Sequence, residues 1–175
     1  MFAIVGDPVD YVKNAIPELF TTSIEKVEEF RGELTLYVKP EQLRTVCEAI
    51  KQHLDLDFDH LPDLTAVDHL KEMQEGEPRF HVVIHLFSTF RKKRIRLKVP
   101  VWEDNCAVDS VADIWTSANW HERECYDLFG ITFNGHPDLR RIMMPDDWEG
   151  HPLRKDYPVS NQEPYEYINK QLASE

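Results

Sequence analysis

Five prolines, Pro137, Pro145, Pro152, Pro158 and Pro164, stand six to eight positions apart near the end of the sequence. A proline ring clashes with the preceding helical turn and offers no N–H to a sheet, so neither a long helix nor a central strand runs through such spacing. Turns and extended backbone must fill this stretch, held by side chains. The same stretch doubles a motif: Gly135-His136-Pro137-Asp138-Leu139-Arg140-Arg141 is answered fifteen positions later by Gly150-His151-Pro152-Leu153-Arg154-Lys155-Asp156. Between Trp120 and Pro158 the chain is rich in Gly, Pro, His, Trp, Arg and Asp and poor in core periodicity. A long loop of such specific composition meets a substrate, another protein or its own domain, because its backbone groups need partners somewhere.

The totals narrow the choice. The 175 residues fit one domain with an appendage, and 42% apolar residues are enough for a real core. No run approaches the ~20 apolar residues of a membrane span, and residues 1–7 lack a basic region followed by a signal-length apolar stretch. Any membrane link is therefore expected to be indirect. A net charge of −12 argues against general nucleic-acid binding, which works by neutralising phosphates. Cys47, Cys106 and Cys125 are widely spaced and form no CxxC, so free thiols are expected, with neither a disulfide framework nor an iron–sulfur cluster held by this chain alone.

Upstream of the proline stretch the periodicity is that of an α+β domain: a two-layer fold with a mixed or antiparallel sheet packed on helices. Residues 8–20 read as a helix with Val12, Ile16 and Leu19 on one stripe, although Pro17 weakens its last turn. Two strands are expected at 23–30 and 33–38, joined through Arg31-Gly32. A helix opened by Pro40 is expected to run to about Leu54, with Leu43, Val46, Cys47, Ile50 and Leu54 forming its apolar face. Further strands are expected at 64–68, 80–87 and 95–101; in the last, Ile95, Leu97 and Val99 face the core while Arg94, Arg96 and Lys98 face out. That basic stripe solvates the sheet and blunts its edge, or docks on an acidic protein surface. Asp109 is expected to cap a helix holding Val111, Ile114 and Trp115, and Asn119 a second helix over 119–129, with Glu122 as capping-box partner and Gly130 as its stop. The organisation is therefore an α+β domain at 1–118, a helix plus extended arm at 119–158, and a polar tail at 159–175 in which Tyr165 and Tyr167 offer anchors.

No complete catalytic constellation is present. His121 and Cys125 share a helix face at zinc-ligand spacing, with Glu122 beside them and His136 and His151 as further donors, which sketches a metal hydrolase. The zincin pattern, however, needs a second His where Cys125 stands. A helix whose His and Cys pack sideways is the simpler reading. Glu122 and Glu124 lie too far around the helix to act as a facing pair, and pairing of one of them with an arm arginine is expected instead. GxSxG, GxGxxG and GxxxxGK[ST] are all missing. The arm makes better sense as a fastener. Trp120, Phe129, Phe133, Trp148 and Tyr157 offer rigid contact area, and Arg123, Arg140, Arg141 and Arg154 offer forked donors for buried carboxylates. Arg140 and Arg154 are expected to meet acids on a partner, while Phe129 and Ile131 fold back on the domain.

The run Glu122-Arg123-Glu124-Cys125-Tyr126-Asp127-Leu128-Phe129-Gly130-Ile131-Thr132-Phe133 continues into Gly135-His136-Pro137-Asp138-Leu139-Arg140-Arg141-Ile142. Asp147-Trp148-Glu149-Gly150-His151-Pro152-Leu153-Arg154-Lys155-Asp156-Tyr157-Pro158 completes it. This pattern closely resembles the signature of the C-subunit family of NADH–quinone oxidoreductase, respiratory complex I. Cys125 departs from the small or branched apolar residue common there, and Met143-Met144 replace aliphatic residues. The resemblance implies a translocase subunit of the respiratory chain that has no active site or redox centre of its own. It implies a place between the D subunit, which holds the quinone site, and the cluster-bearing B subunit, with FMN, iron–sulfur clusters and quinone in partner chains. It also implies peripheral attachment at the cytoplasmic face of the bacterial inner membrane, or the matrix or stromal side in an organelle. The same signature fits ferredoxin–plastoquinone and membrane-bound hydrogenase complexes. The residues it marks as contacts with other subunits run from Trp120 to Tyr157 through both Gly-His-Pro motifs.

Overall fold

The computed structural model describes residues 8–158, and the expectations for the tail at 159–175 lie outside them. The helix expected over 8–20 is two, α1 (Pro8–Ala15) and α2 (Pro17–Thr22). Pro17 is the reason: its ring suits the first turn of a new helix and not the interior of an old one. Strands β1 (Ile24–Phe30) and β2 (Glu33–Val38) form the expected hairpin across Arg31-Gly32. Pro40–Gln42 makes a single 3-10 turn before α3 (Leu43–Gln52). Leu43, Val46, Cys47 and Ile50 are buried as expected, but Leu54 is 87% exposed. The helix has already ended, and His53 turns extended at ψ 121 before Leu54 can reach the core.

The remaining sheet strands are β3 (His60–Asp68), β4 (Phe80–Ser88) and β5 (Lys93–Val101), giving the order β1-β2-β5-β4-β3. All neighbours are antiparallel except β2 and β5, which run parallel. Strand β3 starts earlier than expected because an irregularity between His60 and Asp63 accommodates Pro62 within an edge strand. Strand β5 is central, so Arg94, Arg96 and Lys98 guard no edge. One face of the sheet carries Leu34, Leu36, Ile84, Leu86, Leu97 and Val99, all wholly buried with Val46 and Ile50 of α3 in the same core. At roughly 1.5–3 kcal/mol for each fully buried aliphatic side chain, this layer is the main source of stability.

The chain then forms β6 (Ala107–Asp109), α4 (Ala118–Phe129) and β7 (Thr132–Asn134), with β6 and β7 paired in parallel. No helix follows Asp109: residues 110–117 are turns, although Val111, Ile114 and Trp115 are buried as a helix face would have been. Trp115 is fixed instead by its Nε1–H, which donates to the Phe58 carbonyl at 3.0 Å. Asn119 is not the cap either. It lies inside α4, whose N-cap is Ser117 without a side-chain cap hydrogen bond. Gly130 does stop the helix, in the left-handed conformation at φ 73. Cys125, Phe129, Ile131 and Phe133 join the same core as the sheet, so α4 and the start of the arm pack with the strands before them. Beyond β7 no helix or strand occurs among the described residues.

Candidate functional site

The last carbonyls of a helix lack partners within it. At the C-terminus of α4 the arm supplies them one after another. Gly130 N–H donates to Tyr126 O at 2.9 Å, His151 Nδ1 to Asp127 O at 2.8 Å, Leu153 N–H to Leu128 O at 3.0 Å, and Arg154 Nε to Phe129 O at 2.6 Å. Because a carbonyl only accepts, the His151 contact places the proton on Nδ1. Burial lowers the basicity of His151, which favours this neutral form. A Cβ on Gly130 would fall 2.6 Å from the His151 ring and 2.8 Å from Arg154 Nη2, so no side chain fits between helix end and arm.

Asp127 is the centre of this arrangement. Its wholly buried carboxylate accepts from Arg141 Nη1 at 2.6 Å and from the backbone N–H groups of Ile142, Met143 and Met144 at 3.0, 2.7 and 2.8 Å. Burial raises its pKa, but these donors outweigh burial and hold it below the ordinary carboxylate range. Arg141 continues outward, its Nη2 donating to Trp148 O and Gly150 O at 2.9 and 3.2 Å. Arg123 adds a parallel fastening, donating to the carbonyls of Arg140 and Arg141 at 3.2 and 3.1 Å with the Trp120 ring beside it. In the first Gly-His-Pro copy His136 has a matching role. Asp138 N–H donates to its Nδ1 at 3.0 Å, leaving Nε2 to donate to Asn119 O at 3.2 Å.

A second cluster holds the far end of the arm. Arg79 is 2% exposed; its Nε and Nη2 grip both oxygens of the buried Asp68 at 3.2 and 3.0 Å. The same guanidinium reaches Glu103 and, at 2.6 Å, Asp156 of the arm. Lys155 N–H donates to Asp68 Oδ2 at 2.8 Å. Neither Arg79 nor Asp68 was legible as a site residue. Each sits at the border of a strand and an acidic loop, where a charged residue ordinarily reads as solvated.

Glu122 makes no capping box. Wholly buried, it reaches across to Ser110 Oγ at 2.6 Å and Val111 N–H at 2.7 Å, and so links α4 to the turns after β6. Neither it nor the exposed Glu124 takes an arm arginine. Burial lifts the Glu122 pKa from its ordinary 4.5 to about 7, against the pull of its two donors. The protonated form is therefore favoured by folding, and this stabilisation is full below about 4.5 and fades as the pH rises through about 7. We expect the stability difference between wild type and Glu122→Gln to move by about 3 kcal/mol across that window, in the direction of wild type losing ground at high pH. Urea unfolding midpoints at several pH values measure this; a pH-independent difference overturns it.

The other expected site residues divide into two sets. Phe129 and Phe133 are buried in the domain, and Trp148, Pro152, Arg154 and Tyr157 are half-buried along the arm. Gly150, at φ 83, sits where a Cβ would strike the Tyr157 ring at 2.8 Å. Within the chain, Arg154 gives its Nε–H to the Phe129 carbonyl at the helix end. Trp120, Gly135, Pro137, Asp138, Arg140, Asp147 and Lys155 are exposed. So are Met143 and Leu153. Cys125 is buried against Leu64 O, while His121 faces Asp63 at 3.8 Å. Among the described residues no group of three or more His, Cys, Asp or Glu is placed to hold a metal ion. No described helix is long and apolar enough to cross a membrane.

Fold and site together define an α+β domain with a long C-terminal arm pinned to its own last helix by buried Asp and Arg residues. Residues 36–163 match the family model described as the 30 kDa subunit of respiratory-chain NADH dehydrogenase. The chain is 51% identical over 150 residues to the NADH-quinone oxidoreductase C subunit of Geotalea uraniireducens (strain Rf4), covering 85% of this chain and 88% of that one. The corresponding C subunit of Geobacter sulfurreducens is 50% identical over 152 residues, with 86% and 91% covered. Among solved structures, the trypsin-resistant fragment (1–134) of Nqo5 superposes with a TM-score of 0.62 at 31% identity, covering 74% of this chain and 99% of the fragment. A chain of the membrane-bound sulfane sulfur reductase, an archaeal respiratory membrane complex, shares the fold at a TM-score of 0.70 and 24% identity over 96% of this chain and 92% of that one. The chain belongs to the family of the 30 kDa subunit, or C subunit, of respiratory-chain NADH–quinone oxidoreductase.

Proposed function

We propose that this chain is a non-redox structural subunit of the peripheral arm of proton-translocating NADH:quinone oxidoreductase. It scaffolds the B subunit, with the terminal iron–sulfur cluster, against the D subunit, with the quinone site. FMN, the clusters and quinone reside in those partner chains and their neighbours, and the enzyme activity belongs to the assembly. Attachment to the cytoplasmic face of the membrane is peripheral, through the complex. The observation that carries this reading, beside family membership, is how the signature divides. Asp127, Asp156, both of its His and several of its Arg residues fix the arm to its own domain, which leaves Trp120, Arg140, Met143 and Leu153 projecting from a rigid support. A pre-ordered aromatic and arginine surface loses little entropy when a partner covers it.

Trp120 is 60% exposed, and among the described residues Arg140 has only the solvent-facing Asp138 at 2.9 Å as an ion partner. Trp120→Ala with Arg140→Ala should leave the melting temperature of the isolated chain within about 2 °C of wild type, yet weaken assembly by roughly 2–4 kcal/mol. Native gels of solubilised membranes, stained for NADH dehydrogenase activity and probed for this chain, read the loss of co-migration. Normal assembly of the double variant, or a wild-type chain found only as a free monomer, overturns the proposal.

A further inference from the structure

The sheet has a second face. Helix α3 and the core lie on the side of Leu36, Leu97 and Ile84, and no described helix or strand covers the opposite side. The register places the residues of that open face in rows across the strands. One row runs Glu28, Thr35, Arg96, His85 and Asp63; the next runs Lys26, Tyr37, Lys98, Val83 and Thr65. Down its centre Arg94, Arg96 and Lys98 project from β5, at every second residue and so roughly 6.6–7 Å apart.

This column is cationic in a chain of net charge −12. Glu33 neutralises Arg96 at 2.8 Å, but Arg94 and Lys98 have no carboxylate at ion-pair distance among the described residues. Each lies over a ring of the same face instead: Lys98 Nζ is 5.3 Å from the Tyr37 centroid and Arg94 Cζ 5.9 Å from that of Phe87. His85 packs beside Arg94 and Arg96 around a small cleft with Glu33 as its acid. At the end of the next file His81 keeps a buried Nδ1 without a hydrogen-bond partner among the described residues.

We propose that this open face is a second docking surface, distinct from the arm, which takes an extended acidic segment of a partner protein with carboxylates at alternate residues. A strand-like segment laid along β5 repeats the spacing of the cationic column, so its acids meet Arg94, Arg96 and Lys98 in turn. A polyphosphate backbone fits less well, because Glu28, Glu33 and Asp63 rim the column and the whole chain is acidic. A second copy docked face to face would set the cations against themselves. The proposal goes beyond the reading of the arm and does not depend on it.

The test titrates the full chain, at fixed moderate salt, with a synthetic peptide alternating glutamate and valine, following the ring resonances of His85 and Tyr37 by NMR. Saturable shifts of these rings are expected, weakened roughly tenfold by Arg94→Glu and less by Arg96→Gln, with Arg140→Ala without effect. An equal response to an alternating lysine–valine peptide overturns the proposal, as does tighter binding of hexa-adenylate or phosphatidylglycerol vesicles. Self-association at this face, or no response in folded wild type, overturns it too. None of these outcomes bears on the native-gel result, so the two readings stand or fall separately.

Discussion

Asp127→Ala should release the arm from its own helix and lower the stability of the isolated chain by about 3–5 kcal/mol. The carboxylate accepts from three consecutive backbone N–H groups, those of Ile142, Met143 and Met144, and from Arg141 at 2.6 Å, all at a site without solvent access. Truncation strands these donors. It also frees Arg141, which otherwise carries the connection on to Trp148 O and Gly150 O. Asp127→Asn keeps the shape but loses the charge and half the acceptor capacity, so its cost should be intermediate. The pH dependence has a definite sign. A carboxyl whose pKa is lowered by folding stabilises above its unfolded value and ceases to do so as the pH falls through its folded one. Wild type should therefore converge on Asp127→Asn only in strong acid. Urea midpoints and tryptic cleavage at Arg141 and Arg154 read both effects. An unfolding free energy within about 0.5 kcal/mol of wild type, with no new cleavage, would sink the idea.

Some of this was legible from residue order and some was not, for a physical reason. Strands β2 and β5 announce themselves because alternate apolar residues are a local pattern, and β4 because its residues are β-forming. Gly130 does so because a positive φ after an apolar helical stripe has few other residues to choose from. The proline spacing pointed to sparse regular structure, and among the described residues after 134 there is no helix or strand. What local pattern could not supply was the destination of a buried polar side chain. Glu122 has the spacing of a capping box with Asn119, yet its carboxylate goes to Ser110 and Val111, brought near by the β6–β7 pairing. The contact of Arg154 with the Phe129 carbonyl was equally hidden, because the donorless end of α4 that it satisfies exists only in three dimensions. The order of β2, β5 and β4 likewise turned an expected edge stripe into the centre of an open face.

Arg79 carries the other large effect, and no motif flags it. Arg79→Ala should destabilise the chain by about 3–5 kcal/mol, because it leaves Asp68 as a buried carboxylate without a cation. Burial pushes the Asp68 carboxyl up, but Arg79 and the N–H groups of Lys155 and Leu70 outweigh it and hold it low; removing Arg79, the largest of these donors, leaves two backbone N–H groups against the burial. Arg79→Lys should recover only part of the loss, since an ammonium cannot span both Asp68 oxygens and still reach Glu103 and Asp156. By contrast Asp156→Ala, at the half-exposed rim, should cost under about 1 kcal/mol. Replacing both buried partners, Arg79→Leu with Asp68→Leu, should be much milder than the sum of the single changes, because no buried charge is left unpaired and Glu103 and Asp156 are solvated at the rim. A double-mutant cycle by urea unfolding measures that coupling. Additive single and double variants would mean that Arg79 acts through its packing on Phe80, 4.9 Å away, and not through the buried pair.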